Sequence, residues 1–252
     1  MIKVTKINIP ELPTEKPRRL YVYLPRGYNR SEKRYPVLYM FDGHNVFYDS
    51  HATYGKSWGM KQYLEKSGEQ IILAAVECNP EGNRRLNEYA PWSFKAGRLG
   101  FIEAQGRQTM EWFVNVLKPM IDSGYLTLPD RDHTMIAGSS MGGIMALWAA
   151  VEYNGVFSRA AALSPSLWLE PRRMAEAIRR RDLSGTRVYL DMGGGEAEGD
   201  GRLITTMFET AKRLANSGAE AAARVVPGAL HNEAAWEKRI PVFFDYLMGR
   251  NC

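Results

Sequence analysis

The chain is short of the residues that mark several protein classes. It has only 2 cysteines in 252 residues, Cys78 and Cys252. A disulfide scaffold needs more, and two unpaired thiols suit a reducing compartment. Neither is expected to be catalytic. The longest apolar run, Ile144 to Val151, is eight residues. A membrane-spanning helix needs about 20, so no span is expected. The opening residues Met1-Ile2-Lys3-Val4-Thr5-Lys6 alternate polar with apolar and lack the apolar core of a signal peptide. A cytoplasmic protein is therefore expected. Repeats, low-complexity tracts and Pro/Ser-rich linkers are also missing, which leads us to expect one domain over 1–252.

What is present is ordinary for a globular chain: 45% hydrophobic and 24% charged residues. Lys plus Arg is 33 and Asp plus Glu is 28, a net charge of +5. A nucleic-acid binder would need that charge gathered on one face. The densest cluster, Arg172, Arg173, Arg179, Arg180 and Arg181, reads as the solvated side of a helix whose other side carries Met174 and Ile178. No nucleic-acid or membrane partner is expected.

Short apolar runs alternate with helical patterns, the signature of βαβ units around a mostly parallel sheet with helices on both faces. The opening differs. Residues 2–9, 19–24 and 36–41 read as three strands with only turn-rich stretches between them, and such close neighbours are expected to pair antiparallel. Strands follow at 71–76, 133–138, 158–163, 187–191 and 221–226. Helices are expected at 105–123, 141–154, 202–216 and 233–248. Two long segments, 42–57 and 77–104, resist assignment, and loops of that length inside an α/β domain usually carry function.

The pattern Gly-x-Ser-x-Gly occurs twice. It marks a turn so sharp that the serine's own backbone is strained and side chains two residues away collide, so both flanking positions favour glycine. Gly138-Ser139-Ser140-Met141-Gly142 follows the strand-like Thr134-Met135-Ile136-Ala137 and precedes the apolar run from Ile144. That is the strand–turn–helix setting a nucleophile needs. Gly55-Lys56-Ser57-Trp58-Gly59 follows a loop, and Ser57 reads there as the N-cap of a helix over 58–66. Ser140 is the expected nucleophile.

Serine needs a base. The chain has 4 histidines, His44, His51, His133 and His231. On this fold the triad runs Ser, acid, His along the chain, and only His231 follows Ser140. The acid should follow the strand at 187–191. Glu196 comes first after the turn and is favoured, with Asp200 the alternative. The carboxylates at 196, 198 and 200 lack the rest of a calcium loop. The glycines at 193–195 make no Gly-x-Gly-x-x-Gly fingerprint, because position 198 is Glu. No metal or cofactor is called for.

These motifs resemble a known family. Gly138-Ser139-Ser140-Met141-Gly142-Gly143, Leu163-Ser164-Pro165-Ser166-Leu167-Trp168 and His231-Asn232-Glu233-Ala234-Ala235-Trp236 are similar to the putative-esterase family of α/β-hydrolases, which includes enterochelin-type siderophore, feruloyl and acetyl-xylan esterases and S-formylglutathione hydrolases. Arg19 to Pro25, Tyr35 to Met40, Asp42-Gly43, Arg85 to Tyr89 and Pro91-Trp92 fit too. The resemblance implies an α/β-hydrolase fold with Ser140 and His231 as the catalytic pair. The family often sets its acid in a Gly-Thr-x-Asp/Glu turn. Gly193-Gly194-Gly195-Glu196 stands in that place without the threonine. The chain most resembles the compact members.

The expected function is hydrolysis of a small-molecule carboxylic ester through a covalent acyl-enzyme. The oxyanion donors are expected at the Met141 N–H and in Gly43-His44-Asn45, with the His44 N–H favoured. Asn45, Arg85, Glu88, Trp92 and Trp168 are expected to face substrate, because aromatic residues with arginines suit a ring-bearing or anionic acyl group. Two other readings use the same scaffold: acyl transfer to a sugar or alcohol, and a non-catalytic binding module. Self-association into a homo-oligomer stays open.

Overall fold

The computed structural model describes residues 1–197 and 201–250. An eight-stranded sheet runs through it. In chain order the elements are β1 (Ile2–Ile7), β2 (Arg18–Tyr23), β3 (Val37–Met40), α1 (Met60–Ser67), β4 (Ile72–Val76), α2 (Arg84–Glu88), β5 (Phe94–Lys95), β6 (Phe101–Ile102) and α3 (Gly106–Trp112). Then come α4 (Lys118–Gly124), β7 (Thr134–Ser139), α5 (Met141–Glu152), β8 (Arg159–Leu163), α6 (Pro171–Arg179), β9 (Arg187–Gly193), α7 (Arg202–Asn216), β10 (Glu220–Val226), α8 (Glu233–Glu237) and α9 (Ile240–Leu247). The main sheet has the order β1-β2-β4-β3-β7-β8-β9-β10, and β5 pairs with β6 as a separate hairpin. This is the α/β architecture read from the sequence, a mostly parallel sheet with antiparallel strands at its N-terminal side.

The pairing of the opening strands differs from expectation. β1 and β2 are antiparallel, but β2 pairs antiparallel with β4, while β3 lies parallel between β4 and β7. The reason is burial. Val37, Leu38, Tyr39 and Met40 are all buried. A run with no polar face belongs in the middle of a sheet covered on both sides. Val37 and Tyr39 join one core, with Met110, Phe113 and Ile144, and Leu38 and Met40 join the other, with Leu64 and Phe243. The two-residue period of the strand thus feeds two helical layers.

Prolines shape two helices that the periodicity reads as single. Residues 106–124 are helical throughout, but Phe113–Leu117 widen into a π turn. Pro119 has no N–H to return to Asn115, and the turn accommodates the missing bond. Residues 233–248 divide into α8 and α9, with Pro241 in the first turn of α9. Helix α6 buries Met174 and Ile178 and leaves its arginines exposed, as the charge pattern suggests. Ser57 does not cap α1, whose N-cap is Gly59. The Ser57 hydroxyl donates to Asp49 Oδ1 at 2.7 Å and accepts from the Gly59 N–H at 3.3 Å. Among the described residues no helix is long and apolar enough to cross a membrane.

Candidate active site

Ser140 sits between the end of β7 and the first residue of α5, with φ 56° and ψ −121°. Few non-glycine residues occupy that region, and here the surroundings force it. The Ser140 N–H donates to the Leu163 carbonyl at 3.0 Å, and its own carbonyl accepts from the Ser166 N–H at 3.1 Å. Space is closed at Gly138 and tight at Gly142. A Cβ on Gly138 would stand 2.5 Å from the Gly142 carbonyl oxygen, and one on Gly142 would stand 3.0 Å from Phe41 Cβ. The second copy of the motif has none of this geometry, since Ser57 is buried in a loop.

His231 lies on the loop after β10, and its Nδ1 is 2.7 Å from Glu196 Oε2. With Nδ1–H directed at the carboxylate, Nε2 keeps its lone pair for a hydroxyl. Glu196 lies in the turn after β9 and is almost sealed from solvent. Its Oε1 accepts from the Gly193 N–H at 2.9 Å, the Ser164 hydroxyl at 2.6 Å and Arg239 at 3.2 Å. Burial pushes this carboxyl up, but the hydrogen bonds from His231, Ser164 and Arg239 outweigh it and hold it below the usual carboxylate range. Asp191 lies inside β9, as expected, and its Oδ1 accepts from Arg239 at 2.9 Å. The alternative acid, Asp200, lies outside the described residues.

Ser140 and His231 line one cavity of about 880 Å³. Among the described residues the Ser140 hydroxyl neither caps α5 nor makes a hydrogen bond to His231. The cavity's other walls include His44, Asn45, Arg85, Glu233, Arg19, Glu77, Tyr54 and Lys56. Its cations are matched: Arg19 pairs with Glu77, Lys56 with Glu237 and Arg85 with Asp42.

The two expected oxyanion donors follow the ends of β7 and β3, which are paired strands. Met141 opens α5, where N–H groups have no acceptor within the helix. His44 lies in a 3-10 turn, Gly43–Asn45, directly after β3. Gly43 must be glycine, because a Cβ would come within 2.7 Å of the Ala75 backbone in β4. The His44 ring meets Thr53 Oγ1 at 3.0 Å, and burial lowers its pKa. Asn45 ties the loop down: its Nδ2 donates to Glu233 Oε1 at 3.2 Å and its Oδ1 accepts from the Thr53 N–H at 2.9 Å.

Of the five residues expected to face substrate, the structure brings Asn45 and Arg85 to the cavity and leaves three elsewhere. Glu88 is buried against Arg18 and accepts the Asn79 N–H at 3.0 Å, so it pins the segment 77–104. Trp92 packs edge-on against Trp148 at 6.2 Å, beside a groove lined by the α6 arginines. Trp168 is 52% exposed and meets Phe94 at 5.6 Å. Aromatic and charged residues in a loop signal contact but not its partner, and here the partner is the loop's own bed.

Sequence reasoning missed Ser164, Arg239 and Glu233. Ser164 has φ 44°, a second strained serine one residue after β8. Only the Leu163-Ser164-Pro165-Ser166 string hinted at it, and nothing flagged Arg239. Asp42, His44 and Cys78 each offer one ligand atom within 4.8 Å of the others. The Arg85 guanidinium already supplies the positive charge there, donating to both Asp42 oxygens at 2.7 and 2.8 Å.

A strained serine at the strand-to-helix turn of a mostly parallel sheet, lining one cavity with a histidine held by a carboxylate, fits an α/β-hydrolase scaffold. A family model described as "Putative esterase" matches residues 13–246. The chain belongs to that family and is a carboxylic-ester hydrolase. An uncharacterised protein of Bacillus subtilis, YbbA, is 24% identical over 245 residues, covering 93% of this chain and 94% of its own length. The protein named Esterase Rv1288, of Mycobacterium tuberculosis, is 29% identical over 178 residues, 71% of this chain but only 35% of its own. The fold is similar to an IroE-like serine hydrolase of Shewanella oneidensis, with TM-score 0.78, 18% identity and coverage of 99% and 79%. It is also similar to the enterobactin esterase FES of Shigella flexneri, with TM-score 0.74, 16% identity and coverage of 99% and 59%.

Proposed function

We propose that this esterase works through a Ser140–His231–Glu196 triad and a covalent acyl-enzyme. The observation that carries the reading is the 2.7 Å contact of His231 Nδ1 with Glu196, in the cavity that also exposes the strained Ser140. His231 Nε2 accepts the Ser140 proton as Oγ attacks the ester carbonyl carbon. The tetrahedral oxyanion is held by the N–H groups of Met141 and His44, each worth about 3–4 kcal/mol in such sites. The imidazolium returns the proton to the leaving alcohol, and the C–O ester bond breaks. Water, deprotonated by the same imidazole, attacks the acyl carbon; the bond from that carbon to Ser140 Oγ breaks, the proton passes back to Ser140, and the carboxylic acid leaves. Glu196 stays ionised throughout.

The paired cations around the cavity leave no free positive charge among its described walls, which supports an ester without a further anionic group over an anionic one. The name of the compared enterobactin esterase puts siderophore esters first on a substrate panel. The test is a set of p-nitrophenyl esters, feruloyl and acetyl sugars and trilactone siderophores, with Ser140→Ala as the blank and a fluorophosphonate probe as reporter. Labelling and turnover should both vanish in Ser140→Ala. Full turnover in that variant would overturn the assignment, and an unlabelled wild type would favour a binding module.

A further inference from the structure

We propose that Arg239 is a positioning residue of this hydrolase, one guanidinium that sets the triad acid, the loop carrying the base and the backbone beside the nucleophile in register. The inference rests on the triad reading. Arg239 lies between α8 and α9 and is 2% exposed. Its NH1 donates to Asp191 Oδ1 at 2.9 Å and to Ser164 Oγ at 3.0 Å. Its NH2 donates to Glu196 Oε1 at 3.2 Å and to the Leu230 carbonyl at 3.3 Å. Leu230 immediately precedes His231. Ser164 in turn donates to Glu196 Oε1, and two residues on the Ser166 N–H holds the Ser140 carbonyl. Glu196 and the loop carrying His231 are thus in direct contact with the fork, and Ser140 is reached through the segment 164–166.

A planar fork with several fixed donors can make these contacts together, and an ammonium cannot. Charge gives Asp191 its place. Arg239 alone beside Glu196 would cancel the negative charge that His231 needs when it becomes imidazolium. Asp191, on the far side of the fork, restores the balance: burial pushes its carboxyl up, the Arg239 charge and hydrogen bond oppose that, and with Asp191 ionised the two carboxylates and one guanidinium sum to one negative charge beside His231. The other polar groups around the cluster are Tyr189, whose hydroxyl donates to Asp191 Oδ2 at 3.0 Å, and Arg224, the β10 residue opposite Asp191. Trp236 Nε1 donates to Ser164, and Glu233 lies near His231.

The charge argument predicts opposite shifts, which a purely structural role would not produce. Hydrolysis of p-nitrophenyl acetate is followed against pH for wild type, Arg239→Gln, Arg239→Lys, Asp191→Asn and Glu196→Gln, with melting curves for each. Arg239→Gln should lower kcat about 10- to 100-fold and move the acid limb of kcat/KM to higher pH, on the order of half a unit. Asp191→Asn, close to isosteric, should move the limb to lower pH. Arg239→Lys should keep the limb near wild type while losing kcat. If Arg239→Gln fails to fold, the downward shift in Asp191→Asn carries the test. Limbs that stay put, or that move the same way in both variants, while Glu196→Gln is impaired, would overturn the role of Arg239 and leave the triad standing. Wild-type activity in Glu196→Gln would instead remove the triad acid, and this inference with it.

Discussion

Arg85 grips both carboxylate oxygens of Asp42, at 2.7 and 2.8 Å, and so joins the segment 77–104 to the turn that carries the His44 N–H. Asp42 stands in the left-handed region at φ 54°, directly before Gly43–Asn45. It is buried, and burial alone would raise its pKa, but the Arg85 charge and hydrogen bonds hold it below its usual value. Arg85→Ala leaves that carboxylate buried and unpaired. The expected cost is about 2–3 kcal/mol, under the full value for a sealed pair because Arg85 is 30% exposed. The freed turn should also lower kcat by about tenfold. Calorimetry and ester kinetics check both. An unchanged kcat would separate this pair from the oxyanion turn.

The two Gly-x-Ser-x-Gly copies should respond differently to one methyl group. Gly138→Ala drives a Cβ to 2.5 Å from backbone that cannot yield, so we expect a loss of more than about 3 kcal/mol and of activity. Gly55 has φ 70° but open space around it. Gly55→Ala should therefore cost only about 1 kcal/mol of backbone strain, with turnover intact. Equal effects in the two variants would refute the distinction between the copies.

The fold was legible in the sequence where burial and periodicity agree, as in the uninterrupted apolar strand at 72–76 and the glycine-framed Ser140. The order of the opening strands was not, because a hairpin rule applied to neighbours in sequence cannot see that Val37–Met40 lacks a polar face and must move to the sheet's centre. At the candidate site, motif and chain order singled out Ser140, His231 and Glu196, of which the structure joins His231 to Glu196 by a hydrogen bond. Ser164 and Arg239 did not, since what they do depends on donors converging from β8, β9 and the α8–α9 junction. Trp92, Trp168 and Glu88 looked like site residues because composition records that a side chain makes contacts and not with what.

That placement changes what a Trp92 variant should do. The indole packs on Trp148, away from the catalytic cavity. Trp92→Ala should lower the melting temperature, with a cost of about 2–3 kcal/mol for a half-buried aromatic, and leave KM for p-nitrophenyl acetate unchanged. A raised KM with unaltered melting would return Trp92 to the substrate.

Cys78 lines the cavity wall but should be chemically quiet. Burial pushes its thiol well above the usual value, and the Asp42 charge adds to the effect. Thiolate is the reactive form, so iodoacetamide should spare the Cys78 peptide in the native protein and modify it once guanidinium unfolds the chain. Mass spectrometry of the labelled peptide decides. Rapid native labelling at pH 7 would contradict the buried placement.

Glu233 should give the protein a stability term that runs against those of Glu196 and Asp42. It is 5% exposed, and burial, with the Asp42 charge, pushes its carboxyl up. The folded state then binds the Glu233 proton more tightly than the unfolded chain does. Between the ordinary carboxylate value and the raised folded one, folding is linked to a bound proton, so this contribution is full at low pH and is lost as pH rises through that window. Glu196 and Asp42 have lowered values and act in the opposite sense: their contributions are present above the ordinary carboxylate range and are lost as pH falls through their folded values. Glu233→Gln keeps an oxygen for Asn45 Nδ2 and removes the titration. Its melting temperature should therefore exceed that of the wild type above the window, with the gap closing toward acid. Parallel melting curves from pH 4.5 to 8 would show that Glu233 titrates alike in both states and sink the prediction.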